Sequence, residues 1–282
     1  MIYTMSQTIK YLIIPDVHGR IFWKEPVKYV LENTDAKIIF LGDYLDFYKD
    51  EFIESYNLDE TADIFWENYN RLCNDTINNF KEIIELKQNN SDRITLLLGN
   101  HDCGYAISKY ICESRMDKKN YRLISKLFDD NRDIFQLADE AYINDKHFIF
   151  SHAGINKKYA EHCFQDAVTE ENVVELFNKS YHDENYGILD SLGMYSYFRG
   201  RYGGQYGSLI WADAREWFTG DEDSSIKNEA YGYSVIGHTL LSKPHIEEKF
   251  AFLDTMQAFI IDDKGIIYPY NNINKENIYD LD

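Results

Sequence analysis

Proline is almost missing from this chain, with 4 in 282 residues, and glycine is scarce at 15. That shortage excludes collagenous and Pro-rich disordered chains. Positive charge is short as well: 29 Lys and Arg stand against 48 Asp and Glu, for a net charge of -19. A surface of that sign repels phosphate backbones at long range, so nucleic acid is not expected as a partner. Cysteine is limited to Cys73, Cys103, Cys112 and Cys163, none in a C-x-x-C pair. Their spacing carries no zinc-knuckle signature, and a chain of this size needs no disulfides, so reduced thiols in a cytoplasm are the expectation. Cys103 follows a motif described below, yet nothing near it marks it as a nucleophile. No apolar run approaches a membrane span and residues 1–10 hold no apolar signal core, so neither export nor membrane anchoring is expected.

What remains is an ordinary globular composition, 44% hydrophobic and rich in Tyr, in a chain long enough to bury a substantial core. Residues 10–15, 37–41 and 93–98 are apolar runs that read as strands, and 25–33 has helical spacing at Val27, Val30 and Leu31. Strand, helix and strand form a βαβ unit with a parallel pair and a right-handed crossover. Residues 47–90 carry two helical stripes, Ile64, Phe65, Tyr69, Leu72 and then Ile77, Phe80, Ile83, Ile84, so one or two long helices are expected, ending near Asn89 and Asn90. Residues 105–135 and 155–195 are again helical in pattern, and 141–150 reads as a hairpin turning at Asn144 and Asp145. Strands are expected at 233–237, 250–255 and 258–262, the last two joined by a short turn, with a further one at 265–270. With no repeat or linker, a single domain over 1–270 is the reading, with helical insertions at 47–92 and 104–140 and a polar tail at 271–282.

Five of the apolar runs end in the same way. Ile14 and Pro15 lead into Asp16-Val17-His18-Gly19, and Phe40-Leu41 into Gly42-Asp43-Tyr44-Leu45-Asp46. Leu97-Leu98 leads into Gly99-Asn100-His101-Asp102, Phe150 into Ser151-His152-Ala153-Gly154, and Ile236 into Gly237-His238-Thr239. Five such junctions in one chain point to a single site at the ends of several buried strands.

Asp16 and His18 are two apart in an extended segment, so both side chains can reach one ion. Asp43 adds a carboxylate able to bridge two ions, Asn100 an amide oxygen, and His152 and His238 two nitrogens. Mixed oxygen and nitrogen donors suit Mn, Fe, Zn, Co or Ni better than Ca or Mg. Two ions about 3.5–4 Å apart can clamp a phosphoryl group and create hydroxide at neutral pH. His147, His162, His182 and His245 sit in no such junction and are read as structural.

In order, the motifs are D-x-H-G, G-D-x-x-D, G-N-H-D, S-H-A-G and G-H-T. This set resembles the calcineurin-like metallophosphoesterase superfamily, and within it the serine/threonine phosphoprotein phosphatase group with its bacterial and phage relatives. The resemblance implies an α-β-β-α layered fold, a β-sandwich flanked by helices with metals at the sheet edge. It implies two divalent ions, manganese foremost, with Asp16, His18 and Asp43 on the first and Asp43, Asn100, His152 and His238 on the second. It further implies direct attack on phosphorus by a bridging hydroxide, His101 as general acid and Asp46 orienting it. The substrate would be a phosphorylated protein or a small phosphate ester.

Two details refine this expectation. After Gly237-His238 the chain has Thr239-Leu240, without the second His common in nucleases and diesterases of the superfamily. The run 207–213, with Trp211 and Asp213, resembles a segment of the protein phosphatases. Two departures stand beside them. Phe47 occupies the position of the phosphate-gripping Arg in G-D-x-x-D-R-G, and Asp102 replaces the Glu of G-N-H-E, as in bacterial branches that include dinucleoside tetraphosphate hydrolases. A phosphate dianion needs cationic partners, and Arg199, Arg201 and Arg215 are the candidates. Hydrolysis of dinucleoside polyphosphates or small esters is the alternative function.

Overall fold

The computed structural model describes residues 8–50, 63–107, 115–194, 206–218 and 229–270. Two sheets face each other with helices outside them, as the family resemblance implies. The first sheet has the order β11-β10-β1-β2-β3-β4, from β1 (Ile9–Ile14), β2 (Lys37–Phe40), β3 (Ile94–Leu97), β4 (Phe135–Gln136), β10 (Phe259–Asp262) and β11 (Ile267–Pro269). The second has the order β5-β6-β7-β9-β8, from β5 (Ala138–Ile143), β6 (Lys146–Ser151), β7 (Tyr233–Ile236), β8 (His245–Ile246) and β9 (Phe250–Phe252).

Both faces of the central strands are buried, which is why they read as unbroken apolar runs. The period of two divides each run between two cores. Ile13, Ile39 and Leu97 meet Phe148, Phe150, Val235 and Phe259 between the sheets. Leu12, Ile14, Ile38, Phe40 and Leu96 turn the other way and pack beneath helices. β1, β2, β3 and β4 run parallel, as do β6, β7 and β9. All these strands therefore deliver their C-terminal ends, and the loops that follow, to one side of the sandwich.

α1 (Lys24–Asn33) links β1 to β2. Its C-terminal carbonyls meet the Arg93 guanidinium, which donates to the oxygens of Val30, Leu31, Thr34 and Ala36. α2 (Asp63–Asn89) is one long helix, ending where the stripe of apolar residues stops. Leu72, Ile77, Phe80, Ile83 and Ile84 form its buried side. α3 (Asn100–Ala106) and α4 (Tyr121–Asp130) follow β3. Phe80 of α2, Phe128 of α4 and Phe135 of β4 form an aromatic wedge with ring centroids 4.8, 5.1 and 6.0 Å apart, and Tyr44 stacks on Phe80 at 5.3 Å. α5 (Lys157–Phe164), α6 (Val173–His182) and α7 (Tyr186–Met194) lie in the segment expected to be helical, and α8 (Arg215–Phe218) is a short turn of helix.

The hairpin forms where expected but starts earlier, at Ala138. Asn144 and Asp145 both have positive φ, 50° and 62°, the turn whose twist matches the flanking strands. The strands of 250–255 and 258–262 are joined by a short turn, but they belong to different sheets: β9 pairs with β7, and β10 with β1. Periodicity cannot assign a strand to a sheet, because both sheets bury the same residue types. Phe135, the last residue of the stretch expected to be helical, instead pairs with β3 together with Gln136. A two-residue strand is too short to show a period. The tail at 271–282 and residues 195–205 lie outside the described residues. No helix among the described residues is long and apolar enough to cross a membrane.

The wedge joins α2 and α4 to the first sheet. Phe80→Ala is expected to lower the unfolding free energy by about 3–5 kcal/mol, read from urea denaturation. A loss below about 1 kcal/mol would mean that α2 is held by other contacts.

Candidate metal centre

The loops after β1, β2, β3, β6 and β7 meet at one edge of the sandwich. They do so by bonding to one another. The amides of Val17 and His18 both donate to the Asp43 carbonyl, at 3.1 and 2.7 Å. Asp102 accepts three amides with its carboxylate: Asp43 N at 2.6 Å, Gly99 N at 2.9 Å and Tyr44 N at 3.0 Å. Asp43 returns a bond, since its Oδ1 accepts the His101 amide at 2.9 Å. Across the sandwich, His238 N donates to Asp16 Oδ1 at 2.8 Å. Gly42, at φ +108°, and Gly99 let the ends of β2 and β3 touch, because a Cβ on either would strike the other loop.

The backbone conformation is unusual at four of the junction residues. His18, Asp43, Asp46 and His238 have φ of 46°, 52°, 59° and 64°, a region that costs a non-glycine residue roughly 1 kcal/mol or more. The hydrogen bonds between loops hold these residues there, and the result is a set of side chains turned toward one point.

Asp16, His18 and Asp43 form one cluster and Asp43, His152 and His238 another, each with its ligand atoms within 4.8 Å of one another. His18 Nδ1 donates to the Leu45 carbonyl at 2.8 Å and His152 Nδ1 to the Leu41 carbonyl at 2.9 Å. A carbonyl only accepts, so each Nδ1 carries hydrogen and each Nε2 faces the cluster. Asp43 Oδ2 lies between them, 3.5 Å from His18 Nε2 and 3.4 Å from His152 Nε2. Asn100 Oδ1 is 2.9 Å from His152 Nε2 and 3.0 Å from His238 Nδ1. The two imidazole nitrogens are themselves 3.2 Å apart. Asp16 Oδ2 is buried without a hydrogen-bond partner, 3.9 Å from His18 Nε2. Lone pairs converge here with too few hydrogens between them, and cations would satisfy them. The donor set therefore fits divalent metal ions.

Electrostatics agree with that reading. Burial and the charge of Asp43 push the Asp16 carboxyl up to about 6, against the pull of His152. Burial would lower the His152 pKa, but Asp43 and Asp16 raise it to about 10. Burial holds His18 well below its usual value. Asp43 stays well below the usual carboxylate range: burial opposes this, and His152 and His101 outweigh it.

His101 is beside the clusters, its ring 5.2 Å from that of His18. Its Nδ1 meets Asp46 Oδ2 at 2.8 Å, and Asp46 Oδ1 accepts the Tyr105 hydroxyl at 2.6 Å. Burial lowers the His101 pKa, but Asp43 and Asp46 outweigh it and the imidazole is held above its ordinary value. Of the three expected phosphate-binding arginines, Arg199 and Arg201 lie outside the described residues. Arg215 is engaged by Asp213, Nε to Oδ1 at 2.8 Å and Nη2 to Oδ2 at 2.7 Å. Trp211 packs its ring edge-on to His238 at 5.7 Å.

Several residues here went unread in the sequence. Asp102 is more than a stand-in for Glu: it is fully buried and joins two loops. Burial and Asp43 push its carboxyl up to about 7, while the amides of Gly99 and Tyr44 hold it down. Asp254 is buried with Oδ1 unpartnered, and burial plus the Asp16 charge keep its carboxyl well above the usual range. Arg115 places Nη2 2.8 Å from His101 Nε2 and its guanidinium 3.6 Å over the ring of Tyr48. Neither Asp254 nor Arg115 sits in one of the five junctions. Asp102 could have been found, being three residues past Gly99 at a helix start, where a carboxylate often caps.

A family model described as calcineurin-like phosphoesterase matches residues 9–242. Among solved structures, a cold-active protein-tyrosine phosphatase of a psychrophile, Shewanella sp., is 12% identical with a TM-score of 0.44, over 93% of this chain and 80% of that one. A further structure of a cold-active protein tyrosine phosphatase is 13% identical, with a TM-score of 0.48 over 93% and 78%. A protein serine/threonine phosphatase from Saccharomyces cerevisiae is 10% identical, with a TM-score of 0.43 over 94% and 80%. Likenesses this distant say nothing of substrate. No curated protein sequence matches the chain.

Replacing Asp102 tests the joint between the loops. Asp102→Ala leaves three buried amides without an acceptor, at about 1–3 kcal/mol each. A stability loss of about 3 kcal/mol or more is expected in denaturant unfolding. Wild-type stability in this variant would show that the three bonds do not hold the loops.

Proposed function

The chain belongs to the calcineurin-like phosphoesterase family, and from that premise we propose that it is a two-metal phosphomonoesterase of the serine/threonine protein phosphatase kind. It is a phosphoric ester hydrolase. The observation that carries the finer reading is the pairing of His101 with Asp46 beside two adjoining clusters that share Asp43.

Asp16, His18 and Asp43 would hold one ion, and Asp43, Asn100, His152 and His238 the other. Bound there, two divalent ions would neutralise phosphate charge and make water a nucleophile at neutral pH. Manganese is our choice among the metals that suit mixed oxygen and nitrogen donors. Asp46 fixes the hydrogen of His101 on Nδ1 and favours the imidazolium, which suits Nε2 to pass a proton to the leaving oxygen. Tyr105 holds the second oxygen of Asp46, so the carboxylate cannot rotate away. The free thiols of Cys73, Cys103 and Cys163 suit a reducing cytoplasm. The domain is read as one unit over 1–270, with phosphorylated protein or a small phosphate ester as substrate.

The first experiment is hydrolysis of p-nitrophenyl phosphate after chelation and re-addition of Mn, Ni, Mg or Zn, beside bis-p-nitrophenyl phosphate. Metal-restored monoester activity with little on the diester is expected; a diester preference would overturn the phosphomonoesterase reading. Phosphopeptide against dinucleoside polyphosphate then separates the two substrate classes.

Two variants and one titration bear on the roles. His101→Ala should keep its metal and lose roughly 10²–10⁴-fold on alkyl phosphates. Its loss on p-nitrophenyl phosphate should be much smaller, because that phenolate leaves without a proton. Asp43→Asn should lose metal, measured as ions per chain; wild-type content would sink the assignment of the shared ligand. Binding at the second position requires His152 to give up the proton that the carboxylates hold to about 10. Manganese binding to the chelated protein at about pH 8 should therefore release protons, and affinity should rise as pH rises toward that value. Calorimetry in two buffers of different ionisation enthalpy reads this directly, and no proton exchange would contradict it.

A further inference from the structure

We propose that Arg115 is the side chain that grips the substrate phosphate, reaching in from the segment after α3 in place of an arginine at position 47. This rests on the phosphatase reading above. At position 47 the chain has a phenylalanine, whose ring lies 5.3 Å from that of Tyr69 and takes part in helix packing. A phosphate dianion still calls for a fork of N–H donors.

Other described arginines near the sheet edges are committed elsewhere. Arg93 caps the end of α1, and Arg132 donates to the Tyr181 carbonyl at 2.6 Å. Arg215 is paired with Asp213. Arg20 is fully buried beneath the cluster, with Nη1 directed at the Asp16 carbonyl at 3.4 Å. Arg115 is in the right place. Its Nη2 touches the proposed proton donor at 2.8 Å. Its guanidinium carbon lies 3.6 Å from the centroid of the Tyr48 ring, which is 4.9 Å from that of His18.

The decisive observation is at the other nitrogen. Arg115 Nη1 is buried and has no hydrogen-bond partner among the described residues. A charged donor without an acceptor is costly, and a phosphate oxygen would remove that cost. The Tyr48 stack fixes the plane of the fork, so little freedom is lost on binding. The segment is also anchored: Asp117 N donates to the Tyr105 hydroxyl at 2.7 Å, and that hydroxyl donates to Asp46. One carboxylate thus sets both His101 and the chain that carries Arg115.

His101 Nδ1 faces Asp46 and its Nε2 faces Arg115. A phosphate oxygen accepts from guanidinium better than an imidazole nitrogen does. Substrate would take over the Nη2 bond and leave Nε2 facing the leaving oxygen. Arg115 and Asp46 also line a cavity of about 200 Å³ together with Phe47 and Tyr69.

The test compares the metal-loaded wild type with Arg115→Met and Arg115→Lys. Inorganic phosphate is titrated into each by calorimetry, and each is assayed on p-nitrophenyl phosphate with its metal content measured. Arg115→Met should bind phosphate roughly 10- to 100-fold more weakly, with a raised KM and unchanged metal. Arg115→Lys, which keeps charge but not the fork, should fall between, and it covers the case in which the methionine variant does not fold. Tyr48→Leu, which removes the platform, should weaken phosphate in the same direction. Phosphate binding in Arg115→Met as tight as in the wild type, or none in the wild type, overturns the proposal. A wild type that binds phosphate through Arg115 yet turns over no ester would overturn the enzymatic reading and leave Arg115 as the phosphate-binding residue.

Discussion

The structure depends on two buried carboxylates that hold each other's loops. Asp102, after β3, accepts the amides of Asp43 and Tyr44, and Asp43, after β2, accepts the amide of His101. Each carboxylate thereby fixes the backbone that carries the other. Neighbouring parallel strands would otherwise end in independent loops. Here they end in one unit, to which the β1 loop is hung by the Asp43 carbonyl. Two negative groups in a dry interior repel one another, and the amides only partly compensate. The remaining imbalance is what the histidines offset and what a pair of cations would offset further.

That imbalance also accounts for the backbone. His18, Asp43, Asp46 and His238 would not hold positive φ in an isolated peptide. They hold it because the loops around them are over-determined by mutual bonds, at a cost met by the large cores on either side. Strained residues clustered on one edge, all aimed inward, are the mark of a site prepared before its ligand arrives.

The helices outside the first sheet connect to the same edge by a second route. Tyr44, next to Asp43, stacks on Phe80 of α2, and Phe80 packs on Phe128 of α4. Tyr105 of α3 runs nearly parallel to Phe128 and bonds Asp46 and the amide of Asp117. Aromatic packing and a line of hydrogen bonds thus join the helical insertions to His101 and to Arg115.

Much of this was legible in the chain itself. Apolar runs buried on both faces end in glycine and a ligand-type residue, and such junctions identify strand ends without knowledge of pairing. Asp16, His18, Asp43, Asn100, His152 and His238 were therefore readable as a set, and structure brings all six together. The long helix ending at Asn89 and the hairpin at Asn144 and Asp145 were readable too, from a 3.6-residue stripe and a two-residue turn. What only tertiary structure decided is which buried strand joins which sheet, and which residues besides those six act at the edge. Asp102 acts through backbone amides, Asp254 is buried within the electrostatic reach of Asp16, and Arg115 comes from a turn inside a stretch whose pattern is helical. Local sequence determines where strands and turns form, because side-chain period and backbone preference act over a few residues. The company a carboxylate or guanidinium keeps is set by contacts between segments dozens of residues apart, and only the folded chain brings those together.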